Sequence, residues 1–233
     1  MRRWFSALGM WAVFSVCVAR ADTEGWLIVD SRLPVHSRSE SQHKVSLRVL
    51  TDFRVAQRSA GLQQALMRLG FAWEPRPWLL VGSQTNMNTQ SSDGKQYAQE
   101  WRQEFEATLA SPLYDPVWLE HRHRLELRQH SELGFSPRYR LLLRFNLKVR
   151  WPLQPYLFDE MMLVPGPYWL NQNRLSAGLF WRARKNLVLE VGYMWRLRNV
   201  GPADLVSDHA PRIAITFVPS NVERVAEHFF ASE

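Results

Sequence analysis

An alternation of apolar and polar residues over 138–151, broken only at Leu142, constrains the fold of this chain more than any other feature. The odd positions, from Tyr139 to Trp151, are all apolar or aromatic, whereas arginine and lysine fill most of the even positions. A repeat of two residues is typical of a β-strand with two different faces. Soluble proteins usually have strands of only about five or six residues. The segment therefore predicts one unusually long strand.

The same period of two recurs along most of the chain after residue 43. It is clearest over 45–55, 174–182 and 187–197. Weaker candidate strands are 62–73, 78–88, 99–110, 117–129, 155–164 and 211–218. Several of them reach the roughly ten residues that a tilted strand needs to cross a bilayer. Residues 43–218 therefore predict a membrane β-barrel of ten strands.

An eleventh strand is predicted in the N-terminal segment 22–42. Residues 25–35, with Trp26, Ile28 and Leu33 among them, have the composition of a strand. Bacterial barrels favour an even number of strands. The segment either pairs at the seam of the barrel, lies inside it or indicates a further strand, so the prediction is ten to twelve strands.

The connections between the candidate strands alternate in length. Short connections lie at 74–77, 111–116, 152–154 and 184–186, and longer polar stretches lie near 89–97, 130–137, 165–172 and 199–210. Aromatic residues near the short connections are Trp73, Trp78, Tyr114, Trp118, Trp151, Tyr156 and Trp181, and those at the opposite ends are Tyr97, Trp101, Tyr139, Trp169, Tyr193 and Trp195. Short turns, longer loops and two aromatic girdles are the arrangement of outer-membrane barrels.

The charge of the second face distinguishes this barrel from a soluble β-sandwich or a lipocalin-like barrel, which also alternate. Acidic and basic residues dominate that face in 99–110, 117–129 and 138–150. A soluble protein cannot use such a face as its core, because burying unpaired charge is costly. Helical membrane proteins are excluded, since no apolar stretch beyond the first two dozen residues approaches the ~20 that a spanning helix needs. The predicted fold class is an all-β, antiparallel, up-and-down transmembrane barrel.

An inward charged face predicts a lumen held by cross-strand ion pairs. Segment 99–110 is rich in acids, 117–129 is mixed and 138–150 is basic, so neighbouring strands carry complementary charges. A barrel of about ten strands has a narrow interior, which favours a filled lumen over an open one. Arg140 and Arg144 leave room for an anion, so a selective pore is the alternative.

The N-terminus has the three parts of a secretory signal sequence. Arg2 and Arg3 precede an apolar run from Trp4 to Val18, and an A-x-A site over 19–21 follows. Cleavage after Ala21 removes three arginines and no acid, which lowers the formal net charge from +7 to +4. It also removes the single cysteine of the chain. The mature protein is therefore expected to fold without disulfides.

The C-terminal tail, 219–233, departs from a barrel pattern. Ser220 and Glu223 have the spacing of a capping box, which predicts a short helix that ends at Phe229 and Phe230. Barrels usually finish on a strand with a terminal aromatic residue. Phe217 fills that position, or Phe230 does if the tail is a strand.

Motifs for other chemistry are weak. The basic residues are spread over strands rather than gathered in a patch, which argues against nucleic acid. No CxxC, HExxH or Gly-rich phosphate loop is present. His121 and His123 share a phase that faces outward and lack a third ligand, so neither a metal nor a cofactor is predicted. The one Ser/His cluster, over 130–132, lies in a predicted loop, where a catalytic geometry is hard to hold.

Two stretches resemble a known family. The sequences NQNRLSAGL over 171–179 and KNLVLEVGYM over 185–194 are similar to the outer-membrane barrel family catalogued as domain of unknown function 2490. Weaker agreement lies at 100–104, 124–126, 138–151 and 155–158. The resemblance implies a Gram-negative outer-membrane barrel and brings no established activity.

The residues that match the family's recurrent positions are Asn171, Gln172, Asn173 and Arg174 near a strand rim, with Arg102, Glu104, Arg124 and Glu126 facing inward. We expect them to form a buried polar cluster that fixes the strand register. A ligand contact is the alternative. The full predicted lumen cluster comprises Arg102, Glu104, Arg124, Glu126, Arg140, Arg144, Asn171, Asn173, Arg174 and Glu190.

The sequence thus predicts a non-enzymatic barrel of the bacterial outer membrane. Its role is either a narrow, anion-preferring pore or a structural envelope barrel with an ion-paired lumen. A lipid- or lipopolysaccharide-modifying enzyme is the alternative. The expected partners are outer-membrane lipid and lipopolysaccharide, and the barrel-assembly machinery during insertion.

Export is expected to remove residues 1–21. N-terminal sequencing of the protein from outer-membrane fractions should begin at Asp22, because the small residues at 19 and 21 fit signal peptidase. Replacing both alanines with leucine should block processing and leave the longer precursor. A protein that begins at Met1 in the membrane fraction would contradict the assignment.

Overall fold

The computed structural model describes residues 24–37, 44–56, 61–91, 98–166, 169–184, 186–199 and 205–217. These residues form eleven strands in one closed barrel. The strands are β1 Glu24–Ser37, β2 Lys44–Ala56, β3 Gly61–Arg76, β4 Leu79–Gln90, β5 Ala98–Tyr114, β6 Val117–His130, β7 Gly134–Leu147, β8 Leu153–Leu163, β9 Leu170–Arg184, β10 Leu187–Asn199 and β11 Leu205–Phe217. The predicted signal sequence and C-terminal tail lie outside the described residues.

The barrel closes through a parallel pair, β1 with β11, in which Trp26 lies opposite Arg212. All other neighbouring strands of the described barrel pair antiparallel and follow chain order. Strand direction reverses at every connection, so the first and last of an odd number of strands run the same way. The prediction of an all-β barrel with ten to twelve strands is confirmed, and segment 25–35 is the strand at its seam. The parallel pair makes the sheet mixed rather than wholly antiparallel.

The alternation in the sequence determines which way each side chain points. In β7 the even residues Arg138 to Arg144 face the interior and are buried, whereas the odd residues face outward. The outer face carries large exposed hydrophobic residues on every strand from β1 to β11. Among the described residues, no helix is long and apolar enough to span a membrane.

Two-residue turns, 77–78 and 115–116, mark one end of the barrel, which we call the tight-turn end. The opposite end, which we call the loop end, is where β1 and β11 begin. One predicted loop there, 130–137, is only the turn 131–133, because β7 already starts at Gly134, whose φ of 72° continues the turn. β11 begins at Leu205, earlier than predicted.

A tyrosine packed over two glycines joins three strands near the tight-turn end. Register places Tyr156 of β8 beside Gly178 of β9, and Gly178 beside Gly192 of β10. A Cβ on Gly178 would lie 2.6 Å from the Tyr156 hydroxyl and 2.7 Å from the Cα of Gly192. Both glycines are therefore needed for space. Tyr156 faces the lumen and is buried, which corrects its predicted place in an aromatic girdle.

Replacing Gly178 with alanine should destabilise the barrel by about 1–3 kcal/mol, because the added methyl group meets backbone atoms and the tyrosine at once. The urea midpoint of the protein folded in detergent micelles measures the change. Gly25→Ala is the matched control, since a Cβ at that position meets nothing within 4 Å. Equal midpoints for the two variants would refute the packing argument.

Candidate functional site

The interior of the described barrel is filled by side chains at mid-height. Every strand contributes at least one residue there that is at most 4% exposed: Asp30, Leu50, Arg68, Asn86, Glu104, Arg124, Leu142, Glu160, Ser176, Met194 and Ala214. Side chains that line a water-filled channel would remain accessible to solvent. The side chains of the described strands therefore occupy the interior at this level. We call the ion-paired part of this filling the lumen network.

One group of the lumen network is built around Glu106 of β5. Arg124 Nη2 of β6 lies 2.6 Å from its carboxylate, and Arg48 Nη1 of β2 lies 3.3 Å away. Arg48 also contacts Asp30 of β1 at 3.1 Å. Because β3 and β4 separate β2 from β5, Arg48 reaches across the interior. The Arg124 guanidinium also lies 3.5 Å from Glu104.

A second group is built around Glu160 of β8. Its carboxylate contacts Arg122 at 3.0 Å, Arg140 at 2.7 Å and Arg174 at 3.4 Å, which come from three different strands. Arg140 also contacts Glu126 of β6 at 2.8 Å. A buried carboxylate shared by several guanidinium groups is compensated for the solvent it has lost.

A third group lies nearer the tight-turn end. Glu190 of β10 pairs with Arg212 of β11 and, at 3.2 Å, with Arg144 of β7. The Arg144 guanidinium also lies over the Tyr156 ring, 4.1 Å from its centroid. Buried apolar side chains, Leu142 and Phe158 among them, pack beside this group. Apolar and ion-paired side chains thus lie side by side in this part of the lumen.

A cavity of about 190 Å³ lies at the loop end of the lumen and is lined mostly by arginine. Among the lining residues that the structure describes, the nine arginines are Arg54, Arg68, Arg102, Arg128, Arg138, Arg140, Arg174, Arg196 and Arg198, and the one carboxylate is Asp52. Most of these arginines lie within a few residues of a loop-end strand terminus, such as Ala56 or Asn199. We call this space the loop-end cavity.

Trp26 of β1 organises the wall of the loop-end cavity. The guanidinium carbons of Arg54, Arg174 and Arg196 lie 3.7, 5.0 and 5.9 Å from its ring centroid. Trp26 itself is buried. Cation–π attraction to an indole offsets part of the repulsion among neighbouring guanidinium groups. Three strands thereby direct positive charge toward one aromatic ring.

Eight of the predicted lumen residues lie in the interior: Arg102, Glu104, Arg124, Glu126, Arg140, Arg144, Arg174 and Glu190. Arg102 pairs with Glu100 at 2.7 Å. Their functional role stays a prediction.

The prediction that Asn171 and Asn173 belong to the lumen cluster is wrong, because both lie on the outer face of the barrel. They fall at odd positions of β9, where Arg174 and the other even positions point inward. Asn173 donates a hydrogen bond to the Asp159 carboxylate at 2.7 Å, and Asp159 is also outward.

Sequence reasoning missed two central residues, Glu160 and Trp26. The signal for Glu160 was available in the even positions of β8, where Tyr156, Phe158 and Met162 are also buried. Because Asp159 and Glu160 are adjacent acids, the sequence did not show which of them faces inward. Nothing in the sequence indicated that Trp26 would meet arginines from strands far along the chain.

The one sequence cluster of serine and histidine does not assemble a catalytic group. His130 is buried in the lumen, with its ring 2.7 Å from Arg128 and 3.6 Å from Glu100. Ser131 is exposed and accepts a hydrogen bond from the backbone of Gln99 at 3.3 Å. The two side chains thus have separate surroundings.

Other polar residues on the outer face contact one another. His121 and His123 face outward as predicted, with ring centroids 4.2 Å apart, and His123 is hydrogen-bonded to Tyr139. Nearby, Gln103 donates to Ser83 at 2.9 Å. Within the described ranges, no group of three or more histidine, cysteine or acidic residues could hold a metal ion.

Replacing Glu160 with glutamine should destabilise the barrel by about 3–5 kcal/mol, because it removes one charge that three buried arginines share. Urea titration in micelles measures the loss. Asp159→Asn is the matched control on the outward face, where asparagine keeps an acceptor for Asn173. Similar losses for the two variants would show that the three arginines do not depend on the Glu160 carboxylate for charge compensation.

Comparison with known proteins gives a family and two similar structures. A family model described as "Protein of unknown function (DUF2490)" matches residues 23–206. No curated protein matches the chain. The beta domain of the Bordetella autotransporter Brka is 12% identical with a TM-score of 0.49, and LpxR from Salmonella typhimurium is 10% identical with a TM-score of 0.41. Each comparison covers 76% of this chain and 83% of the other. The family model spans most of the sequence and confirms the predicted resemblance, so the chain belongs to the DUF2490 family.

Proposed function

We propose that this protein is a non-enzymatic barrel of the bacterial outer membrane whose lumen network is a structural plug. The observation that carries the proposal is the ring of buried mid-height residues, to which every described strand contributes. A diffusion channel needs a continuous water-filled path, and side chains occupy that path here. The barrel then acts through its presence in the envelope rather than by passing solutes.

The large exposed hydrophobic residues of the outer face support insertion of the barrel in the membrane. Phe71, Trp101 and Val191 are examples of large hydrophobic side chains on the outer face, each more than half exposed. Monomeric soluble proteins rarely expose contiguous apolar patches of more than a few hundred Å². Outer-membrane lipid and lipopolysaccharide would cover this surface. Insertion would require the barrel-assembly machinery, after export directed by the predicted signal sequence.

A structural role also explains why so many charges are retained inside. Buried ion pairs add little net stability compared with well-packed apolar residues, since desolvation is costly. They do specify register, because a slip of one residue would turn a row of arginines toward lipid. The lumen network is thus suited to fixing one arrangement of eleven strands.

The other two candidate roles have less support. A narrow, anion-preferring pore would use the loop-end cavity as its entrance, but ions would have to displace the contacts around Glu160 and Glu106 to pass. A lipid- or lipopolysaccharide-modifying enzyme would need a held nucleophile and base. The serine and histidine at 130–131 lie in different surroundings.

The purified barrel should give no ion-conducting steps in planar lipid bilayers. The double variant Glu104→Ala/Arg124→Ala, which keeps the net charge and removes two fully buried side chains, should conduct because it opens mid-height space. Heat-modifiable migration on gels, after outer-membrane fractionation, checks that both proteins are folded and inserted. Anion-selective steps from the unaltered protein would overturn the plug and favour the pore.

A further inference from the structure

We propose that the loop-end cavity is a binding site for a phosphate-bearing anion. The proposal goes beyond a structural plug, since an anion can bind at one end of the lumen whether or not ions cross it. It rests on the charge, the size and the convergence of the groups that line the cavity.

The charge of the cavity is unbalanced. Ion pairs within 4 Å join its nine arginines to six carboxylates of the described residues: Asp52, Glu100, Glu104, Glu126, Glu160 and Asp208. Two of these carboxylates, Glu104 and Glu160, are also shared with arginines deeper in the lumen. Among the lining residues that the structure describes, nine arginines face one carboxylate, Asp52, and this positive charge is concentrated in one partly enclosed space, where its repulsion is poorly screened.

Carboxylates shared between two arginines hold these guanidinium groups close together. Asp208 of β11 contacts both Arg196 and Arg198, at 2.9 and 2.7 Å. Glu100 contacts both Arg102 and Arg128. Each shared carboxylate thus holds two planar guanidinium forks close together, a geometry that matches the several oxygens of a phosphate.

The geometry favours a compact oxyanion with several charges. Arg54, Arg174 and Arg196 come from β2, β9 and β10 and meet around the Trp26 ring. The cavity of about 190 Å³ has room for about six water molecules at ~30 Å³ each, which is comparable with a hydrated phosphate or diphosphate group. Tetrahedral phosphate oxygens accept hydrogen bonds from several forks at once. A described lining in which arginine predominates suits a multiply charged oxyanion such as diphosphate better than a single carboxylate.

Titration calorimetry with inorganic pyrophosphate on the full protein in zwitterionic detergent tests the site. We expect saturable binding of one pyrophosphate per barrel that weakens as NaCl rises. Arg54→Gln should weaken it about tenfold, as expected for the loss of one charge-assisted contact. Arg198→Gln should weaken it about threefold, and this variant is the safer one to fold because its side chain is 40% exposed.

Arg182→Gln is the matched control, since Arg182 is an exposed arginine of β9 outside the cavity. Its affinity should stay within twofold of the unaltered protein. Heat-modifiable migration confirms that each variant is folded. The proposal fails if pyrophosphate does not saturate the unaltered protein, if Arg182→Gln weakens binding as much as Arg54→Gln, or if both cavity variants bind normally.

The phosphate can come from a soluble anion or from a lipid headgroup, and competition separates these sources. Phosphatidic acid in the micelles is compared with diacylglycerol of the same chains. Displacement of pyrophosphate by phosphatidic acid alone assigns the site to a lipid headgroup, whereas no displacement assigns it to soluble phosphates. A barrel that binds pyrophosphate and also conducts would keep this site and overturn only the structural plug.

Discussion

The contacts between buried guanidinium groups and carboxylates are the interaction on which this barrel depends. A charge removed from water is tolerated only when partners replace the lost hydration. Glu160, for example, needs arginines from β6, β7 and β9 at the same height. That requirement fixes the register of four neighbouring strands at once. It also determines the outer surface, because side chains alternate and every inward charge commits its neighbours to face outward.

The two ends of the lumen differ in the side chains that fill them. Toward the tight-turn end, Tyr156 fills the space left by Gly178 and Gly192, and apolar residues such as Leu142 and Phe158 pack beside it. This packing lies beside the ion pairs of Glu190 with Arg144 and Arg212. Toward the loop end, the described lining of the cavity holds nine arginines and one carboxylate. The lumen therefore changes along its axis from mixed apolar and ion-paired packing, through an ion-paired middle, to a cationic end.

Local alternation allowed the strands and faces to be predicted, but the contacts between strands could not be. In β7 and β10 each residue's face follows from its neighbours, so Arg140, Arg144 and Glu190 were placed correctly in the lumen. The pairing of Arg144 with Glu190, 46 residues apart, depends on how far the strands are staggered around the barrel. The sequence of one strand does not determine that stagger. Asn171 and Asn173 were misplaced because a motif was treated as one unit, although neighbouring residues in a strand face opposite ways.

The eleventh strand explains both the parallel seam and the arrangement of three arginines in the loop-end cavity. A barrel made of β2 to β11 alone would be even in number and could close antiparallel, as most bacterial barrels do. β1 instead inserts between them and contributes Asp30, which pairs with Arg48, and Trp26, which faces Arg54, Arg174 and Arg196. Without that strand, these three arginines would lose the ring around which they are arranged. The odd strand therefore places inside the barrel two side chains, Asp30 and Trp26, that an antiparallel closure of β2 to β11 would lack.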